Sequence, residues 1–153
     1  IVGWVREGAE AAGRTLDEIE IIAWTSTIVT DDPADIRERM RRPVAGTALV
    51  GMNKATRALF GVDPDHVAAI KAARRDPAAP LPADAITDAM IDSLALVGPA
   101  GAIAERIAAL EEAGVTMMGF RMPVALRGAV DFPQNIRRIA ADVLPNVATG
   151  GTA

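Results

Sequence analysis

Trp24, Thr25, Ser26 and Thr27 stand together in the stretch WTST, and Arg121 stands alone between an apolar run and Met122-Pro123. A tryptophan offers a broad flat surface on which a planar ring can stack or against which a pocket can be walled. Hydroxyls beside it can donate hydrogen bonds to a carbonyl or a phosphate. A guanidinium can hold an anion through two parallel bonds, and a glycine such as Gly98 lets a backbone amide come close to a ligand. Each has a structural alternative: Trp24 filling core volume, threonines serving strand propensity, Arg121 paired in a salt bridge (for example to Asp131), Gly98 turning the chain. His66, the single histidine, follows Asp63-Pro64 and reads as solvated helix surface. Arg37, Arg39, Arg41 and Arg42 are interleaved with Asp35 and Glu38, the pattern of a solvated amphipathic face rather than of a phosphate site.

Composition narrows the chemistry. With 153 residues, half of them hydrophobic, the chain is one domain's worth of sequence and can bury a sizeable core. Aromatic residues make up only 3%, so that core is aliphatic. The absence of cysteine excludes disulfides, thiolate metal sites and cysteine nucleophiles, and one histidine argues against a histidine-rich metal site or a Ser-His-Asp triad. A net charge of -4 gives no bulk attraction to phosphate backbones, so nucleic acid is not an expected partner. There is no apolar run of the roughly 20 residues that a membrane span needs, and no signal peptide is visible, so the expected location is the cytoplasm. No P-loop, dinucleotide-binding glycine turn or paired-carboxylate motif is present.

The elements that must position these residues are legible around Ser93 to Pro123. Leu94 to Val97 reads as a short buried strand. A helix follows, with Pro99 near its start and an apolar stripe at Ile103, Ile107, Ala108 and Leu110, and Gly114 stops it. Val115 to Arg121 reads as a second strand. Two strands joined through a helix run parallel. Upstream, a helix to Ala12 is stopped by Gly13, and a strand follows from about Glu20 to Val29, so helix, Ala-Gly, turn and strand occur twice. Asp32-Pro33 opens a helix with Ile36, Met40 and Val44 inward, and Pro43 kinks or ends it. From Pro43 to Asp92 the pattern is a helical excursion: Asn53 to Phe60 stopped by Gly61, Asp63-Pro64 to Arg75, a proline-rich loop at 76–82, and Ala83 to Asp92. A last helix runs from Phe132 to Val143 behind Asp131 and Pro133, and the Gly-Gly tail is expected to be disordered. The sequence opens on Ile1 rather than Met, the expectation for a processed chain or a piece of something longer.

Three stretches carry a family resemblance: VREGAEAAGRTLDEIEIIAW, MRRPVAG, and above all DSLALVGPAGAIAERIAALEEAGVTMMGFRMP. They resemble the C-terminal part of the luciferase-like flavin and deazaflavin oxidoreductases, and the length of the excursion is closer to the members that use coenzyme F420. The resemblance implies an α/β fold, a partial (β/α)8 TIM barrel made of its last three parallel strands, with flanking helices and a helical insertion at about 43–92. The three strands would be the sixth, seventh and eighth of the barrel, with the active site where they end. It implies coenzyme F420 as cofactor, FMN being the alternative, with most of that site outside this chain. Trp24, Thr25 and Gly98 would contact the cofactor and Ser26 and Arg121 a small-molecule substrate. It further implies hydride transfer or monooxygenation in the intact enzyme and an inactive fragment without the N-terminal strands. Unpaired parallel edges are open to other chains, so a homo-oligomer or the missing barrel segment is the expected partner. A non-catalytic α/β oligomerisation module is the competing reading.

Overall fold

The computed structural model describes residues 2–44, 52–76 and 78–147. The Gly-Gly tail, Ile1 and the end of the MRRPVAG stretch lie outside the described residues. Three strands, β1 (Ile22–Val29), β2 (Ala95–Gly98) and β3 (Met117–Arg121), form one parallel sheet. The helices are α1 (Val2–Ala11), α2 (Pro33–Val44), α3 (Lys54–Leu59), α4 (Val67–Arg75), α5 (Asp88–Leu94), α6 (Ala100–Glu112) and α7 (Phe132–Arg138). The parallel α/β architecture and the helical insertion are those expected.

The order of the strands is not the expected one. Consecutive barrel strands would lie side by side in chain order, yet here β1 is central, with β2 on one edge and β3 on the other. Ser26 to Val29 pair with Ala95 to Gly98, whereas Ile22 to Ser26 pair with Met117 to Arg121. Helical spacing and turn residues are local signals, and neither says which edge a later strand will choose.

Local signals did set most element ends. Both α1 and α6 close in the same way: Arg14 N–H donates to Ala9 C=O and Val115 N–H to Leu110 C=O, with Gly13 (φ +70) and Gly114 (φ +101) as the left-handed residues. This is the Schellman closure, which a residue with a Cβ adopts only at a cost. The recurring Ala-Gly is therefore one structural device used twice. Asn53, Thr87 and Asp131 each accept a hydrogen bond from a first-turn N–H, opening α3, α5 and α7. Several boundaries differ from expectation: β1 starts at Ile22, α4 at Val67 behind a 3-10 turn, and α7 gives way to a π-helical turn at Ile139–Val143. The helix expected from Ala83 starts at Asp88, because Thr87 caps it, and it continues through Leu94, so β2 begins at Ala95. Pro99 sits at the N-cap of α6 rather than inside it. Thr116 Oγ1 accepts Ile21 N–H at 2.8 Å, so a side chain closes the β1–β3 ladder below Met117 and the strand starts two residues late.

Alternation along the strands divides the core in two. Ile28 and Ala95 pack with Ile36, Met40, Ile70 and Ile91 from α2, α4 and α5. Val29 and Leu96 pack on the opposite face with Ile103, Ile107 and the segment after α7. The arginines of α2, expected on a solvated face, instead fasten the excursion. Arg37 pairs with Asp92 through two bonds at 2.9 and 3.1 Å, Arg41 reaches Asp88 at 2.8 Å and the Ile86 carbonyl, and Arg42 reaches the Ala79 carbonyl at 2.6 Å. Arg39 does not reach the excursion; its hydrogen bond to exposed Asp35 draws that carboxyl below its ordinary pKa. His66 is likewise less exposed than expected: it is half-buried and 3.6 Å from Asp84, just upstream of α5.

Candidate active-site surface

Residues that share a register position in a parallel pair point to the same face, and successive residues alternate. Trp24 is in register with Gly119 and Ser26 with Arg121, so these four, with Ile22 and Met117, make one continuous surface across β1 and β3. The helical excursion covers the upper half of this face at Ile28 and Ala95, but the lower half is bare: Ile22, Trp24 and Met117 are 43%, 70% and 47% exposed.

Trp24 does not stand free on that surface. A Cβ on Gly119 would lie 2.5 Å from Trp24 Cε3 and 2.6 Å from Cδ2, so the indole lies flat against the β3 backbone with its other face to solvent. Gly119 makes this possible, and sequence reasoning passed over it. A glycine inside a strand marks a close approach, so the signal was present in the run MMGF. Arg121 follows two residues on, about 7 Å along the strand at 3.3 Å per residue. Its side chain is exposed and makes no hydrogen bond or ion pair among the described residues. Asp131, the partner that a salt bridge would have used, caps α7 by accepting Gln134 N–H at 3.0 Å.

The other expected site residues are elsewhere. Thr25 is in register with Phe120 on the opposite face, is 9% exposed and donates to the Ser26 carbonyl at 3.4 Å. Thr27 is fully buried, and its Oγ1 has no partner among the described residues. Gly98 pairs with Val29 at the far end of β1, roughly 17 Å along the strand from Trp24. Its φ of +148 and the bond from Thr30 N–H to its carbonyl, 2.9 Å, make it the strand terminus. Ser26 is on the right face but 3% exposed. Trp24 itself is the third residue of the eight in β1, not at the strand's end, which makes it a floor rather than a rim. The surface thus brings together a flat apolar floor, a hydroxyl at its margin and an unpaired guanidinium at the C-terminal end of β3. Among the described residues no cluster of three acidic or histidine side chains could hold a metal ion, and no helix is long and apolar enough to cross a membrane.

A family model for luciferase-like monooxygenases matches residues 3–117. The chain belongs to the luciferase-like monooxygenase family. Among solved structures, this family member is similar to a coenzyme F420-dependent tetrahydromethanopterin reductase from Methanopyrus kandleri, with a TM-score of 0.71 and 25% identity over 95% of this chain. It spans 41% of that reductase's length. The luciferase-like match takes in Trp24 and Ser26 and stops before Gly119 and Arg121, so the two halves of the surface differ in how far the family match reaches.

Proposed function

We propose that this chain is the C-terminal portion of a luciferase-like oxidoreductase and that the Trp24–Arg121 surface forms part of its cofactor and substrate pocket. The observation that carries the proposal is the indole of Trp24 laid over Gly119 beside an unpaired arginine, on the one sheet face that the chain's own helices leave partly bare. An exposed flat indole fits a planar tricyclic ring, and a guanidinium fits an anionic substituent on a ring or substrate. Coenzyme F420 is the proposed cofactor, in keeping with the similar reductase, and FMN the alternative. When bound, the cofactor supplies the redox step, hydride transfer or monooxygenation. Trp24 supports the ring from below, Ser26 offers a hydroxyl at its edge, and Arg121 orients the anionic group. Thr25 and Gly98, on the other face or at the far strand end, position β1 and β2 rather than touch the ring. The described residues contain no phosphate cradle, so that part of the site and full activity belong to barrel strands outside this chain. A cytoplasmic location is part of the same proposal.

The test is a titration of F420 fluorescence with this chain joined to the rest of its barrel. Arg121→Gln is expected to weaken binding about tenfold or more, given roughly 1.5 kcal/mol or more for a charge-assisted contact, and Trp24→Leu severalfold, given roughly 0.5–1.5 kcal/mol for a ring contact. Thr25→Val leaves it unchanged. Equal binding by all three variants would overturn the assignment of this surface.

A further inference from the structure

Beyond the end of β3 the chain makes a compact turn that the proposed pocket does not use. Met122, Arg127, Gly128, Val130 and Phe132 line an open pocket of about 300 Å³. Leu126, fully buried in the core, anchors the turn, and its carbonyl accepts both Ala129 and Val130 N–H at 3.1 Å. Arg127 and Val130 are bridged, and Gly128, at φ +87, lets the chain double back between them. The pocket wall is therefore fixed by backbone bonds to a buried leucine. Its lining is apolar except for Arg127, whose guanidinium is exposed and makes no hydrogen bond or ion pair among the described residues. Phe132, 39% exposed, presents an uncovered aromatic surface to the same space.

A pocket of this size lies at the small end of the range for small-molecule sites, and such sites combine an apolar lining with a few placed polar groups. Here the polar group is one permanent cation. We infer that this turn is a binding site for a small carboxylate with an apolar body, its anion on Arg127 and its hydrocarbon against Met122, Val130 and Phe132. None of its lining residues belongs to the Trp24–Arg121 surface, and the inference does not depend on the cofactor proposal.

The test uses the chain itself and three simple probes, acetate, butyrate and hexanoate, followed by backbone amide NMR. Affinity is expected to rise with chain length, by up to about fourfold per buried methylene. Shifts are expected to centre on Gly128 and Phe132 and to leave the Trp24 indole unmoved. Arg127→Gln weakens all three probes, hexanoate by about tenfold or more. Phe132→Ala flattens the chain-length dependence, with an unchanged urea midpoint confirming that the fold is intact. Hexanoate binding unchanged in Arg127→Gln, shifts centred on Trp24, or no saturable shift in the wild-type chain would each overturn the inference.

Discussion

At the scale of single residues, Gly119 decides what Trp24 can be. Three ring atoms of the indole lie within 2.9 Å of where a Cβ would stand, closer than non-bonded carbon atoms approach. Because Trp24 is 70% exposed, a side chain at 119 displaces the ring outward instead of straining the strand. Gly119→Ala is therefore expected to change folding stability by less than about 1 kcal/mol, as surface substitutions do. It should still alter the near-ultraviolet circular dichroism of the indole. Only two tryptophans are present, so a Trp4→Phe background isolates the signal. An unchanged indole spectrum would mean that the ring does not rest on β3, and a loss of more than about 2 kcal/mol would mean that it rests there but cannot swing outward. Asn135 is the other residue whose work is specific. It is 3% exposed, its amide donates to Thr27 C=O at 2.8 Å, and its carbonyl accepts Val29 N–H at 2.9 Å. β3 ends at Arg121, opposite Ser26, so the amide of Asn135 continues the parallel hydrogen-bond pattern beyond the last rung. No neighbouring sequence signal separates this asparagine from an ordinary helical one.

At the scale of elements, α2 is the clamp that ties the excursion to the sheet. Arg41 holds Asp88, Glu38 and the Ile86 carbonyl at once, and the two carboxylates raise its pKa. Asp88 and Ile86 flank Thr87, the cap of α5, so Arg41 fixes the start of that helix. Arg41→Met should cost about 1–2 kcal/mol, the worth of one or two charge-assisted bonds in a partly exposed setting. Arg39→Ala, whose one partner among the described residues is the exposed Asp35, should leave the urea midpoint where it was. Equal effects of the two would show that the crossing bonds carry no stability. These elements also mark how far sequence reading reaches. Asp32-Pro33, Asn53 with Gly61, Asp131 with Pro133, and Gly114 act within a turn of their own position, and each set an element end where expected, while Asp63-Pro64 opens a 3-10 turn, Pro64–His66, ahead of α4. The arginines have their partners roughly 40–55 residues away, so their charge pattern could not tell a clamp from a solvated face. The faces of Trp24, Ser26 and Arg121 followed once register was known, and register, like the order β2-β1-β3, is set by long-range pairing.

At the scale of the whole molecule, the sheet is closed by its own helices on one face and only half closed on the other. β1 is paired on one edge only across Ser26 to Val29, so its Ile22 to Thr25 stretch stays open there, along a groove of about 360 Å³ bounded by Val2, Trp24, Leu94, Arg106 and Leu110. Exposed Ile22, Trp24 and Met117 lie on the adjoining face. An open edge beside an apolar face is a template for pairing. Since the chain spans 41% of the similar reductase, the strands that complete a barrel are the proposed occupants. At rising concentration the chain alone is expected to self-associate through this surface in light scattering. Added as a separate polypeptide, the N-terminal barrel segment of the same protein should dissolve those assemblies into a one-to-one complex, and Trp24 emission should shift to the blue as its outer face is covered. Arg106→Glu, at the groove wall, should weaken the complex while leaving the sheet intact. A chain that stays monomeric at every concentration, with Trp24 emission unmoved by the added segment, would show that the bare face is a stable surface in its own right.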